Sequence, residues 1–160
     1  MAIPTLAELS AELISRVEVL PQFLDRGFSI YNMEDLESLL ALSGGLPVVG
    51  VAYDGGEPVE NNVKSSQTSA SRSATLFKIH FAVIIAITYS GAGEYNESTD
   101  SKVIATDLLD AARSTLLGYK GINTRPWFLV NEAPLDSELE NVIFYGQLWE
   151  TFIPVVGISE

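Results

Sequence analysis

The strongest two-residue periodicity in the chain runs from Phe77 to Tyr89. Phe77, Ile79, Phe81, Val83, Ile85, Ile87 and Tyr89 share one parity, and Lys78, His80, Ala82, Ala86 and Thr88 the other. Successive side chains of a strand point to opposite faces, so the spacing predicts a strand from about Thr75 to Tyr89 with one buried face. The other face is polar at its start and small toward its end. It suits a sheet covered by helices on one side and by solvent or another subunit on the other. At about 3.3 Å per residue this strand extends roughly 50 Å, against a usual length of about 20 Å, so part of it is expected to project beyond the core.

Helical spacing dominates the N-terminus. Leu6, Leu9, Leu13 and Val17 recur at intervals of three and four, Thr5 with Glu8 fits a capping box, and Pro4 and Pro21 bracket the segment. A helix from about Thr5 to Val19 follows. A second helix is expected after Asn32, carrying Leu36, Leu39 and Leu40 and ending at Ser43-Gly44-Gly45. Leu46 to Tyr53 reads as a buried strand closed by a turn at Asp54-Gly55-Gly56. A third helix, capped by Ser98 or Thr99, carries Ile104, Leu108, Leu109, Ala112 and Leu116 and stops at Gly118. Trp127 to Val130 reads as a strand, Asn131 to Asn141 as an acidic turn, and Val142 to Val156 as a closing aromatic strand. The order αα-β-loop-β-α-β-β predicts an α+β fold: a mostly antiparallel sheet with helices packed on one face.

Between the strand at Leu46 to Tyr53 and the strand at Thr75 to Tyr89, Gly55 to Ser73 is polar and nearly devoid of large apolar side chains. A connection of that length inside a small domain is either a functional arm or a disordered link. The expectation is one domain over residues 1–160 with a long hairpin whose flexible polar loop spans about 55–73. Glu57, Glu60, Lys64 and Arg72 are its candidate contact residues.

Charge narrows the partners. Nine basic against twenty-one acidic residues give a net charge of −12, a repulsive field for phosphate backbones. That acidity reads either as solubility or as a surface past which nucleic acid slides without sticking. The absence of cysteine removes disulfides, thiolate metal sites and thiol catalysis. Met1 to Ile14 carries Glu8 and Glu12 and no basic stretch, so no secretory signal is expected there. No apolar run approaches the roughly 18 residues that span a bilayer, and no membrane partner is expected.

Motifs for chemistry are missing or misplaced. His80 is the single imidazole, lies inside the strand pattern, and has no Gly-x-Ser-x-Gly elbow to serve. Neither Glu94 to Asp100 nor Glu132 to Glu140 follows a calcium-loop spacing. Gly91-Ala92-Gly93 is followed by Asn96 where a dinucleotide loop needs glycine, and by Glu94, Glu97 and Asp100, which repel a pyrophosphate. The expectation is a non-catalytic protein with no cofactor and no metal. Trp127, Phe144, Tyr145, Trp149 and Phe152 are core residues on the plainest reading. Two-sided aromatic strands exceed what one small domain buries, however, which makes Trp127, Tyr145 and Trp149 candidate interface aromatics.

These features together, an N-terminal amphipathic helix, the Leu46-Pro47-Val48-Val49-Gly50-Val51 strand, the polar loop, the long strand at Phe77 to Tyr89, the Ala105 to Arg113 helix and the aromatic closing strand, resemble bacteriophage tail terminator (tail completion) proteins. The resemblance implies an α+β subunit of a homo-oligomeric ring, typically a hexamer. Such a ring caps the head-proximal end of the tail tube, stops tube polymerisation and joins the tail to the head. The partners it implies are further copies of the chain, the tail tube protein and head connector proteins, with a sheath as a further candidate and DNA passing without specific binding. The implied location is the virion, reached from the host cytoplasm during assembly. A head-tail connector or minor tube protein, and more distantly a small carboxylate-site hydrolase, are the alternatives.

Overall fold

The computed structural model describes residues 3–25, 29–33, 48–59, 72–88, 101–121, 124–135 and 142–158. Helix α1 spans Leu6–Glu18, and its capping box is closed in both directions. The Glu8 N–H donates to Thr5 Oγ1 at 3.1 Å, and the Thr5 N–H donates to Glu8 Oε2 at 2.7 Å. Leu9, Leu13 and Val17 are fully buried, as the spacing requires, whereas Leu6 of the same stripe stays 41% exposed in the first turn. Pro21 does more than end this helix: it opens a short helix α2, Pro21–Leu24, where its fixed φ suits the first turn, and Phe23 drops into the core.

Five strands form one sheet in the order β1-β2-β3-β5-β4, with β1 Ser29–Met33, β2 Val48–Pro58, β3 Arg72–Thr88, β4 Phe128–Leu135 and β5 Val142–Ile158. Strand β1 runs parallel to β2, and every other neighbouring pair is antiparallel. Helix α3, Ser101–Leu116, lies between β3 and β4 in the chain and ends at Gly118, whose φ of +76° suits a residue without Cβ. The α+β reading and its mostly antiparallel sheet are therefore observed.

Strand β3 sits at the centre of the sheet and shows why its parity pattern was so sharp. Ile79, Phe81, Val83, Ile85 and Ile87 join Leu9, Leu13, Val17, Phe23, Leu108, Leu116, Trp127 and Trp149 in one buried cluster, the face covered by the helices. The opposite parity forms a second, smaller cluster of Val48, Ala52, Ile84, Ala86 and Phe144. Both faces of the middle of β3 are thus buried, while its start carries Lys78 and His80, half-exposed.

Several boundaries differ from the sequence-based expectation. Strand β2 does not turn at Asp54-Gly55-Gly56. It shifts register by a bulge between Tyr53 and Gly56, with Gly55 at φ +102°, and continues to Pro58. Strand β4 runs through Asn131 to Leu135 where a turn was expected, after a register shift between Leu129 and Asn131. Strand β1 has no counterpart in the expected order: it contains Asn32, the expected lead-in to a helix. Leu36, Leu39 and Leu40 lie outside the described residues, as do Ser98, Thr99 and the acidic run after Leu135 up to Asn141. Of the polar segment 55–73, both ends are strand and residues 60–71 lie outside the described residues.

Candidate assembly surface

Strands β3 and β5 pair along all 17 residues of each, from Arg72 opposite Ile158 to Thr88 opposite Val142. Their neighbours stop earlier. The β2 ladder ends at Pro58 opposite Phe77, with one further bond from the Val59 N–H to the Leu76 carbonyl at 2.8 Å. The β4 ladder begins at Phe128 opposite Glu150. From Arg72–Thr75 and Val155–Ile158 outward, the described sheet is a two-stranded ribbon, four residue pairs and about 13 Å long at the usual rise per residue. It reaches out at the same end as the β2–β3 connection.

Where the ribbon leaves the sheet, a polar ladder crosses the face opposite α1 and α3. Lys78 Nζ lies 2.8 Å from Glu57 Oε1 and 3.9 Å from Glu150 Oε1, and His80 Nε2 lies 3.0 Å from that same Glu150 oxygen. The register explains the set, because Glu57 faces Lys78 and His80 faces Glu150 across the ladder. The hydrogen bond and charge of Lys78 hold the Glu57 carboxyl below its ordinary range, and Glu57 in turn raises the Lys78 ammonium. His80 is accordingly one rung of a cross-strand polar ladder. Among the described residues no group of three or more His, Asp or Glu side chains is placed to hold a metal ion.

The other candidates fall in different places. Glu57 lies in the ladder just described and Arg72 opens β3, while Glu60 and Lys64 lie outside the described residues. Trp127 and Trp149 are 0% exposed, so they are anchors of the subunit's own core and not of an interface. The reason is register. The odd-numbered positions of β5 face the helices, which seats Trp149 under α3, and Trp127 packs edge-on to Phe81 at 5.9 Å. Tyr145, on the same parity, is half-buried against that cluster.

Beneath α3, Gln147 organises a buried polar network. Its Nε2 donates to Glu132 Oε1 at 2.7 Å and to the Leu109 carbonyl at 3.2 Å, and its Oε1 accepts from Trp149 Nε1 at 3.2 Å. Arg113 Nη1 closes the network on Glu132 Oε2 at 3.0 Å, and its Nη2 pairs with Asp110. Strand β4, through Glu132, is tied in this way to α3 by side chains as well as by packing.

Besides Leu6 of the predicted α1 stripe, the exposed apolar side chains include several the pattern did not single out. Val19 and Leu24 are 63% and 60% exposed around α2, and Phe128 and Val130 are 48% and 49% exposed on the edge strand β4. Val19, Phe23, Leu24 and Ile30 line a groove of about 420 Å³ beside β1, with Glu18 at its rim. Their signal in the sequence was weak, because α2 is a single turn and the β4 bulge breaks the alternation. No helix among the described residues is long and apolar enough to cross a membrane. No protein-family model matches the chain, and a search of curated proteins finds no significant match.

Proposed function

We propose that this chain is the subunit of a homo-oligomeric ring that caps the head-proximal end of a bacteriophage tail tube and joins it to the head. The observation that carries this reading is the β3–β5 ribbon. Among the described residues, a pair of 17-residue strands extends past the paired stretches of β2 and β4 beside the polar β2–β3 connection. An isolated two-stranded ribbon is marginal in water, so a projecting one is best explained by a partner that packs on it. The net charge of −12 suits a ring through which DNA passes without binding. The α+β plan, with helices on one face, agrees with the tail terminator resemblance.

The test is a light-scattering mass over a wide concentration range, with negative-stain images in the presence and absence of tail tubes. A closed ring that binds one end of the tube and stops its growth is the expected result. A strict monomer at every concentration that leaves tube growth unchanged would overturn the reading. Assembly along the tube, without termination, would assign the chain to the minor tube components instead.

A further inference from the structure

Strand β2 changes character part-way along. Residues 48–52 are all buried, lie between β1 and β3, and pair with both in unbroken register. After Ala52 three things change together. The β1 ladder ends at Met33 opposite Ala52, so among the described residues the rest of β2 pairs on one side only. Burial ends as well, for residues 53, 54 and 56–58 are exposed. The register shift between Tyr53 and Gly56 then sets two glycines in succession, with Gly55 at φ +102° and open space where its Cβ would stand.

Beyond the bulge, residues 56–59 are held to β3 by a short set of contacts. Gly56, Glu57 and Pro58 face Ile79, Lys78 and Phe77, and the Val59 N–H donates to the Leu76 carbonyl at 2.8 Å. Pro58 has no N–H to give to a ladder. Gly56 lies close against β3: a Cβ there would stand 2.6 Å from the Phe77 ring and 2.9 Å from the Lys78 carbonyl. Glu57 Oε1 meets Lys78 Nζ at 2.8 Å, with the Glu57 side chain 62% exposed. Lys78 also has Glu150 Oε1 at 3.9 Å, so its ammonium keeps a carboxylate nearby when Glu57 leaves. A segment with little buried apolar surface and few bonds opens at a lower free energy than the core to which it is joined.

We infer that residues 54–59 form a strap that opens at the Gly55–Gly56 bulge while residues 48–52 stay paired, with the Glu57–Lys78 ion pair as its clasp. Closed, the strap covers the β3 edge at residues 76–78, where the ribbon begins. Open, it frees that edge for pairing with another strand, continuous with residues 72–75, which among the described residues pair only with β5. Ionic strength sets the balance, because salt screens an exposed pair. The strap is a property of β2 and β3 within one chain and stands whether or not the chain forms a ring.

Amide hydrogen exchange read by NMR on the full chain tests it. Glu57→Gln removes the clasp, Gly56→Ala wedges the strap off β3, and circular dichroism checks that both variants are folded. In the wild type the Val59 amide is expected to exchange faster than the protected amides of residues 48–52, and without the urea dependence of global unfolding. Glu57→Gln should speed Val59 exchange about two- to five-fold, and so should raising salt from about 0.05 M to about 1 M. The salt effect should vanish in Glu57→Gln, and residues 48–52 should not respond to either change. Gly56→Ala should speed Val59 exchange with the clasp still present. A Val59 amide that exchanges only with residues 48–52, on global unfolding, would overturn the strap. Local opening that ignores both Glu57→Gln and salt would overturn the clasp.

Discussion

Replacing Gln147 by Leu keeps the volume of a buried side chain and deletes its three hydrogen bonds. Gln147 is 1% exposed, so water cannot take over from the lost amide. The Leu109 carbonyl lies within α3 and keeps its helical partner as the chain turns on to Arg113, so its loss is small. Trp149 Nε1 is different: its ring is fully buried, and its one acceptor is gone. Glu132 loses its 2.7 Å donor but keeps Arg113 at 3.0 Å. The orphaned buried donor costs about 1–3 kcal/mol, and the part-exposed Glu132 carboxylate, which keeps Arg113, adds up to about 1–2 kcal/mol, which gives about 2–4 kcal/mol for the substitution. For a domain of this size a central value near 3 kcal/mol lowers Tm by about 6–12 °C. Urea unfolding followed by tryptophan fluorescence measures it directly, and a double-mutant cycle with Glu132→Ala isolates the network. The coupling expected between the two positions is about 0.5–3 kcal/mol. A Gln147→Leu protein as stable as wild type, with no coupling to Glu132, would refute the claim that this network holds β4 to α3.

Four further outcomes follow from the geometry. Trp149→Phe should destabilise more than Trp127→Phe by about 1–3 kcal/mol in urea unfolding, because only the first strands a buried acceptor, Gln147 Oε1; among the described residues Trp127 Nε1 has no acceptor to lose. Gly55→Ala should cost about 1–3 kcal/mol through backbone strain alone, since its φ is +102° and nothing lies within 4 Å of the added carbon; Gly56→Ala meets the Phe77 ring at 2.6 Å and the Lys78 carbonyl at 2.9 Å, and should displace the bulge, visible as shifted amide resonances of Lys78 and its neighbours. Because the folded Glu57 carboxyl is held below its unfolded value, the Glu57–Lys78 pair contributes above the unfolded carboxylate range and is lost as pH falls through the folded value; the raised Lys78 ammonium contributes below the ordinary lysine range and is lost as pH rises through its folded value. Carboxyl NMR titration of Lys78→Met should move Glu57 back up toward the ordinary range, and no movement would discard the pairing. Hydrogen exchange on the unassembled chain should be faster for the amides of Arg72–Thr75 than for those of Ile79–Ile87, and should slow at the ribbon on ring formation; equal protection in the free chain would show that the ribbon needs no partner.

How much of this was legible beforehand depended on how many residues carried each signal. The alternation in β3 and the helical spacing in α1 each rest on four or more apolar positions, and of these Leu6, in the first turn of α1, is left exposed. The bulge at Tyr53 and Gly56 was hidden because Asp-Gly-Gly carries the same local chemistry whether the chain turns back or shifts register by one bulge; the choice is made by the ladder to β3, which is tertiary. Strand β1 was missed for a related reason. Five residues, Ser29 to Met33, hold too few alternations to stand out, and their pairing with β2 is parallel and remote in sequence. Trp127 and Trp149 went to the core instead of an interface because an aromatic on a two-sided strand reveals its face only once register is known.

The burial along β3 links fold to assembly. From Ile79 to Ile87 the strand is covered by α1, α2 and α3 on one face, and its odd positions are almost wholly buried. Phe77 is only partly buried and packs at the margin of that cluster, and the β2 ladder ends at the same position. Among the described residues, helix cover and β2 give out together, yet pairing with β5 persists through Arg72. Each residue ordered in a ribbon costs roughly 1–2 kcal/mol of backbone entropy, and hydrogen bonding alone returns about that much or less. A chain that merely needed a stable core would gain little from extending both strands past the helices. In the proposed ring, another copy would pack along this extension, and this is why the ribbon, and not the acidic composition, carries the functional reading.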